Sequence, residues 1–211
     1  QNEEGSRQII PNEAALYLVT GTILLQVQSQ KGDLNAVNRI FAAIQGQSGE
    51  GIGGKESAPW PWTGRLGTIV PDTKLYNVAL AAAEKIKGPE ALQFAQELYE
   101  QMRDPDSLET SLAPQSVWDI VTMNTYISIL AQSHRQEEAF NVYNKAARLS
   151  MIPDRFTFNS LLKACSSQSE WKRVFVEMKK YGVKPDVFTY NAIIKSLCAM
   201  RKLTEASRLI V

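Results

Sequence analysis

The stretch Pro153-Asp154-Arg155-Phe156-Thr157-Phe158-Asn159 returns 32 residues later as Pro185-Asp186-Val187-Phe188-Thr189-Tyr190-Asn191. A phrase that recurs at a fixed spacing of this size marks a repeat architecture, in which each copy is one supersecondary unit. Ile120-Val121-Thr122-Met123-Asn124 carries the same pattern upstream, with Asn124 35 residues before Asn159. Further back, Pro71-Asp72-Thr73-Lys74-Leu75-Tyr76-Asn77 reads as another opening, and Leu18-Val19-Thr20-Gly21-Thr22 aligns as the earliest. Five units therefore share one register.

Inside the central unit, Ile120, Met123, Ile127 and Leu130 recur at helical spacing, and so do Ala139, Tyr143, Ala146 and Leu149. Each helix then has a single apolar stripe, which it cannot bury alone, so neighbouring units must stack. Paired antiparallel helices repeated about every 35 residues give an all-α fold, an α-solenoid in which each unit touches only its neighbours. The expected units are 18–72, 73–119, 120–154, 155–186 and 187–211, preceded by an extension over 1–17. The last unit stops within its second helix, which predicts a solenoid longer than the given chain.

The first two units are less regular. A long helix is expected to begin at Pro11-Asn12-Glu13, with Asn12 as its cap, and to reach about Ser29. A second helix should cover 34–45, with Val37, Ile40, Phe41 and Ile44 on one stripe. Residues 46–69 interrupt the pattern: seven glycines and two prolines there oppose a helix, so a long loop is predicted. That loop carries Trp60 and Trp62, which are expected to dock on this chain or on a partner. Pro71 and Asp72 restore the register, Gly88 and Pro89 mark the next turn, and 104–118 is a second irregular connector. Whether unit two closes at Gln115 or at Asp119 stays open.

Composition bounds the rest. The chain has 211 residues, 44% of them hydrophobic, enough for a core, and no apolar run of the length a membrane span needs. Its first residues carry neither the basic start of a signal peptide nor the Arg-rich look of a transit peptide. Charge is divided: residues 1–119 hold 9 Lys and Arg against 15 Asp and Glu, whereas residues 120–211 hold 14 against 7. The basic half suits an anionic partner, with a solvated face as the alternative. Cys165 and Cys198 fall at nearly the same place in adjacent units and read as small buried hydrophobes rather than a disulfide or metal pair. The only histidine, His134, sits in a polar turn, and the glycines of 46–54 lack the Lys-Ser/Thr ending of a phosphate loop. No enzyme, cofactor or metal site is expected.

Asp72, Asp154 and Asp186 directly precede helices and are natural N-caps, each worth about 1 kcal/mol. Capping does not explain why the fifth residue of each unit is Asn or Thr (Thr22, Asn77, Asn124, Asn159, Asn191). Asparagine is a mediocre helix former, so its return once per unit on one face favours recognition.

These openings, the Pro-Asp junctions and the ending Met178-Lys179-Lys180-Tyr181-Gly182-Val183-Lys184-Pro185-Asp186 resemble the pentatricopeptide repeat (PPR) family. The tetratricopeptide repeat is the competitor, and the Pro-Asp junctions and the 35-residue unit favour the former. The resemblance is strong over 120–211 and interrupted over 18–119.

The resemblance implies single-stranded RNA as partner, one base per repeat, read by the fifth residue and the last residue of the unit. The base-reading residues would be Thr22, Asp72, Asn77, Asn124, Asp154, Asn159, Asp186 and Asn191. The second residues, Val19, Val121, Phe156 and Phe188, would stack on base rings, with Lys74 departing from the pattern. Thr22/Asp72 would prefer G, and Asn124/Asp154 and Asn159/Asp186 would prefer U, giving 5′-G-(U or unread)-U-U-3′. Lys163, Lys179, Lys180, Lys184 and Lys195 are the leading phosphate contacts. It also implies a mitochondrial or chloroplast protein acting on a transcript or ribosomal RNA. A second reading is a structural subunit of an organellar ribonucleoprotein such as a ribosome, with protein subunits as partners through Trp60 and Trp62.

Overall fold

A computed structural model describes residues 11–45, 71–102, 117–199 and 201–207. Its regular elements are ten helices: α1 (Pro11–Lys31), α2 (Leu34–Ile44), α3 (Thr73–Ile86), α4 (Pro89–Gln101), α5 (Ile120–Gln132), α6 (Gln136–Arg148), α7 (Arg155–Ala164), α8 (Gln168–Lys180), α9 (Val187–Ala199) and α10 (Leu203–Ser207). They pair as the repeat predicts. The odd-numbered helices form one layer, α1 on α3, α3 on α5, α5 on α7 and α7 on α9. The first three even-numbered helices form the other, each packing on its own partner and on the odd helix that follows. The fold is an all-α solenoid.

Helix starts follow from capping chemistry. Asp119, Asp154 and Asp186 stand just ahead of α5, α7 and α9, and each carboxylate accepts the backbone N–H of a threonine three residues on, at 2.7, 2.9 and 2.9 Å. The threonine hydroxyls (Thr122, Thr157, Thr189) accept the aspartates' own N–H groups in return, at 3.3, 3.0 and 3.1 Å. Two orphan donors are thereby satisfied at each helix start. Asp33 and Asp72 cap α2 and α3 with one bond each, to Ala36 and Leu75. α1 already begins at Pro11, so Asn12 lies inside the helix and not ahead of it.

Several helix ends are made by left-handed residues. Gly182 (φ 69°) ends α8, where Val183 N–H reaches back to Met178 O at 2.9 Å, and Ser150 (φ 57°) does the same for α6 through Met151 and Ala146. His134 (φ 58°) occupies this position after α5, exposed to solvent, as expected of a turn histidine.

The core runs along the solenoid axis: Leu25, Leu75, Leu80, Leu98, Met123, Ile127, Leu130, Phe158, Leu161, Leu162, Met178 and Ile193 are essentially inaccessible to water. The tip of Ile44 on α2 fills the space beside Gly21 on α1: a Cβ there would meet Ile44 Cδ1 at 2.5 Å and would turn that side-chain end aside. Cys165 is buried, and burial pushes its thiol up to about 12. Cys198 departs from expectation: it is exposed, because Leu197 beside it takes the core position and the next residue turns away.

The connector before α5 is anchored where it rejoins the fold. Thr73 Oγ1 donates to Val117 O at 3.1 Å and accepts from Val117 N–H at 3.0 Å. Trp118 is buried, stacks on Tyr99 (4.5 Å between ring centres, planes 6° apart) and lies under Lys145 Nζ at 3.9 Å. Tyr99 in turn stacks on Tyr126 at 4.2 Å, and Trp118 Nε1 donates to Tyr99 O at 3.1 Å. The expected loop over 46–69, with Trp60 and Trp62, lies outside the described residues.

Candidate nucleic-acid interface

The fifth residues of repeats two to four meet the capping aspartates that begin the following helices. Asn77 Nδ2 lies 3.2 Å from both carboxylate oxygens of Asp119, and Asn124 Nδ2 lies 3.0 Å from Asp154 Oδ1. Asn159 likewise hydrogen-bonds Asp186. At the opposite end of each amide, Oδ1 accepts from the threonine of the capping box: Thr122 on Asn77 at 2.7 Å, Thr157 on Asn124 at 2.6 Å and Thr189 on Asn159 at 2.8 Å. Three copies of one cluster, Asn–Asp–Thr, thus cross three successive repeat boundaries.

Asp119 is the partner of Asn77 that the spacing left open. Its signal in the sequence is the Asp-x-x-Thr capping box, present at 119–122 as at 154–157 and 186–189. The box puts Asp119 where Asp154 and Asp186 stand and gives Asn77 a partner.

Repeat one is built differently. Thr22 Oγ1 donates to Leu18 O at 2.7 Å within its own helix, and the Asp72 carboxylate accepts Leu75 N–H at 2.8 Å. Thr22 and Asp72 are therefore each engaged locally rather than with one another. Asn191 is exposed in the first turns of α9.

Beside the clusters, the second residues stand out into solvent: Val19 and Val121 are more than half exposed, and Phe156 and Phe188 are 71% and 74% exposed. Lys74 holds the same position in repeat two and is exposed as well. An exposed phenylalanine thus recurs at the same position in repeats four and five.

The lysines divide into two groups. Lys163 and Lys195 hold corresponding places on α7 and α9, 32 residues apart, and are exposed. Lys179 and Lys180 end α8 and Lys184 lies in the loop before Asp186, so these belong to the second-helix side and the junction. Lys180 already has partners, Glu177 at 3.5 Å and the ring of Tyr181 at 5.3 Å. Arg155 Nη1 lies 3.7 Å from Asp186 Oδ2. The Asp186 carboxyl is held below its ordinary value, chiefly by the Thr189 backbone N–H, with Asn159 and Arg155 adding to it against some desolvation. It stays ionised and acts only as an acceptor.

The PPR repeat family model matches residues 119–167 and 170–199, and the PPR repeat model matches 188–211. Residues 119–211 are thus built of pentatricopeptide repeats. Among curated protein sequences no significant match is found. Among solved structures the chain is similar to the pentatricopeptide repeat protein PPR10 from maize (TM-score 0.59, 21% identity, 92% of this chain and 24% of that one). It is also similar to PPR10 in complex with an 18-nt psaJ RNA element (0.54, 19%, 97% and 27%). A third similar structure is the nuclear proteinaceous RNase P 2 (PRORP2) from A. thaliana (0.56, 15%, 90% and 36%). The chain spans about a quarter to a third of the length of these proteins. At these identities the likeness is one of fold. No helix among the described residues is long and apolar enough to cross a membrane.

Proposed function

We propose that this protein is a sequence-selective binder of single-stranded RNA, one base per repeat, acting in RNA metabolism or expression in a mitochondrion or chloroplast. The observation that carries the proposal is the threefold Asn–Asp pair at the repeat boundaries, flanked by outward-facing apolar side chains at the second positions. An amide beside a carboxylate offers hydrogen bonds to an unstacked base edge, and a neighbouring apolar or aromatic side chain offers it a stacking platform. Similarity to a protein solved with an 18-nt RNA supports the same reading.

The partner found for Asn77 sharpens the target. With Asn77/Asp119 reading U as the other two asparagine pairs do, repeats one to four select 5′-G-U-U-U-3′. G in this series is the least supported base, since Thr22 and Asp72 do not form the bonded pair seen in the next three repeats. Lys163 and Lys195 stand at corresponding places on α7 and α9, suited to successive phosphates of the strand.

The test is binding of the protein to a pool of short single-stranded RNAs across a salt series. Enrichment of U runs and a log–log salt slope of about −0.7 per phosphate contacted support the proposal. Lack of base preference, or affinity independent of salt, overturns it. A stoichiometric ribosomal protein partner with no RNA selectivity would instead support a scaffold role, the reading suggested by Trp60 and Trp62.

A further inference from the structure

Each reading asparagine is held at both ends of its amide. An ionised carboxylate can only accept, so the aspartate must face Nδ2. The threonine hydroxyl already accepts the aspartate's backbone N–H, which leaves its single proton to give. That proton goes to the nearer acceptor. The distances to asparagine Oδ1 are 2.7, 2.6 and 2.8 Å, against 2.9, 3.1 and 2.9 Å to the aspartate. Turning the amide over would set oxygen against carboxylate oxygen and bring its N–H protons against the hydroxyl proton. Only one orientation satisfies both neighbours.

The chain contains its own control. The third residue of repeats three, four and five is Thr122, Thr157 and Thr189, each almost wholly buried, and each follows a repeat whose fifth residue is asparagine. The third residue of repeat two is Leu75, and the residue it would orient is Thr22, which has no amide. Threonine stands where there is an amide to fix. Helix capping alone does not account for this, because Asp72 caps α3 without it.

We propose that Thr122, Thr157 and Thr189 are specificity-determining positioning residues, each fixing the amide of the preceding repeat's asparagine so that it meets the base as a donor only. This rests on the RNA reading above. One Nδ2 proton is engaged by aspartate and the other is left for the base. At position 4 of the ring uracil offers that proton a carbonyl acceptor, whereas cytosine carries an exocyclic amine that needs an acceptor in return. A fixed amide therefore refuses that amine, and an amide free to turn over accommodates both pyrimidines.

The experiment compares binding of flanked 5′-GUUU-3′ and 5′-GUCU-3′ RNAs to the protein and to Thr157→Val, Thr157→Ser and Thr189→Val. Thr157→Val is expected to shrink the preference for U over C at the third base by about threefold to tenfold, the worth of one net hydrogen bond. Thr157→Ser should restore it, and Thr189→Val should leave the third base alone and relax the fourth, read with 5′-GUUC-3′. A readout without RNA is the side-chain amide of Asn124, whose two NMR proton signals should shift and broaden in Thr157→Val and not in Thr157→Ser. If Thr157→Val weakens both RNAs equally, or the Asn124 amide signals do not move, the threonine is only a cap and the inference fails. If the unaltered protein binds neither RNA, or both alike, the RNA reading itself fails and this inference with it.

Discussion

Asn77 and Asp119, 42 residues apart in sequence, meet with the asparagine Nδ2 3.2 Å from both carboxylate oxygens. The connector between them adds residues to repeat two, yet its end delivers the aspartate to the place that Asp154 and Asp186 hold in regular repeats. Thr73 and Asn77, one turn apart on α3, both grip the segment 117–119. The Asn–Asp pair of repeat two therefore has the same build as those of repeats three and four, despite the insertion.

Asp119→Asn separates the two roles of this residue. Asparagine caps helices about as well as aspartate, so stability measured by chemical denaturation should change by less than about 0.5 kcal/mol. The carboxylate that faces Asn77 is gone, and the preference for U at the second base should fall. Asp119→Ala should do both, lowering stability by about 1 kcal/mol as well. An unchanged base profile in Asp119→Asn would show that repeat two does not read.

Trp118 is what seats Asp119. It is packed between the Tyr99 ring and the Lys145 ammonium, with its indole N–H satisfied by Tyr99 O. Trp118→Ala should cost about 3–5 kcal/mol, the usual range for deleting a buried indole, and should loosen the U preference at the second base more than at the fourth. Trp118→Phe keeps the stack without the N–H bond and should recover most of the stability. Denaturation curves and a base-by-base binding panel measure the two effects.

The regular half of the fold was legible because local chemistry repeats there: a capping aspartate, a threonine three residues on and an asparagine two further, each visible as a letter at a fixed offset. Phe156 and Phe188 were readable for the same reason, and both point outward as their register implies. What the sequence hid was long-range. No local pattern tells that Trp118 is buried against Tyr99 and Tyr126, since a tryptophan in an irregular connector reads equally as a surface anchor. The threonine hydroxyls were concealed in another way. Thr122, Thr157 and Thr189 read as helix-start residues, and their bonds to the previous repeat's asparagines exist only once the repeats are stacked.

Acid titration should find Asp186 ionised where an ordinary aspartate is half protonated. Its carboxyl is held below the ordinary value of 3.8 by Thr189 first, then by Asn159 and Arg155. A depressed folded value means that the contribution to stability is complete above the unfolded aspartate value and is lost as pH falls through the lower folded one. NMR titration of the Asp186 carboxyl should show the midpoint below 3.8, and Arg155→Gln, which removes the guanidinium 3.7 Å from it, should move it upward. A midpoint at or above the ordinary value would mean that the cluster is not formed in solution.

The exposed rings give the cleanest separation of folding from function. Phe156 and Phe188 carry little of the core's burden, being 71% and 74% exposed, so Phe→Ala at either should change stability by no more than about 0.5 kcal/mol. If each ring stacks on a base, the same change should weaken RNA binding by about 1–3 kcal/mol, largely regardless of which base is present, because every base has a π-face. Phe→Tyr keeps the ring and should restore affinity. Isothermal titration with U-rich RNA, beside thermal melts of the free protein, measures both. Loss of stability without loss of affinity would place the rings in the fold and not on the RNA, and loss of affinity confined to one base would make them readers of identity rather than platforms.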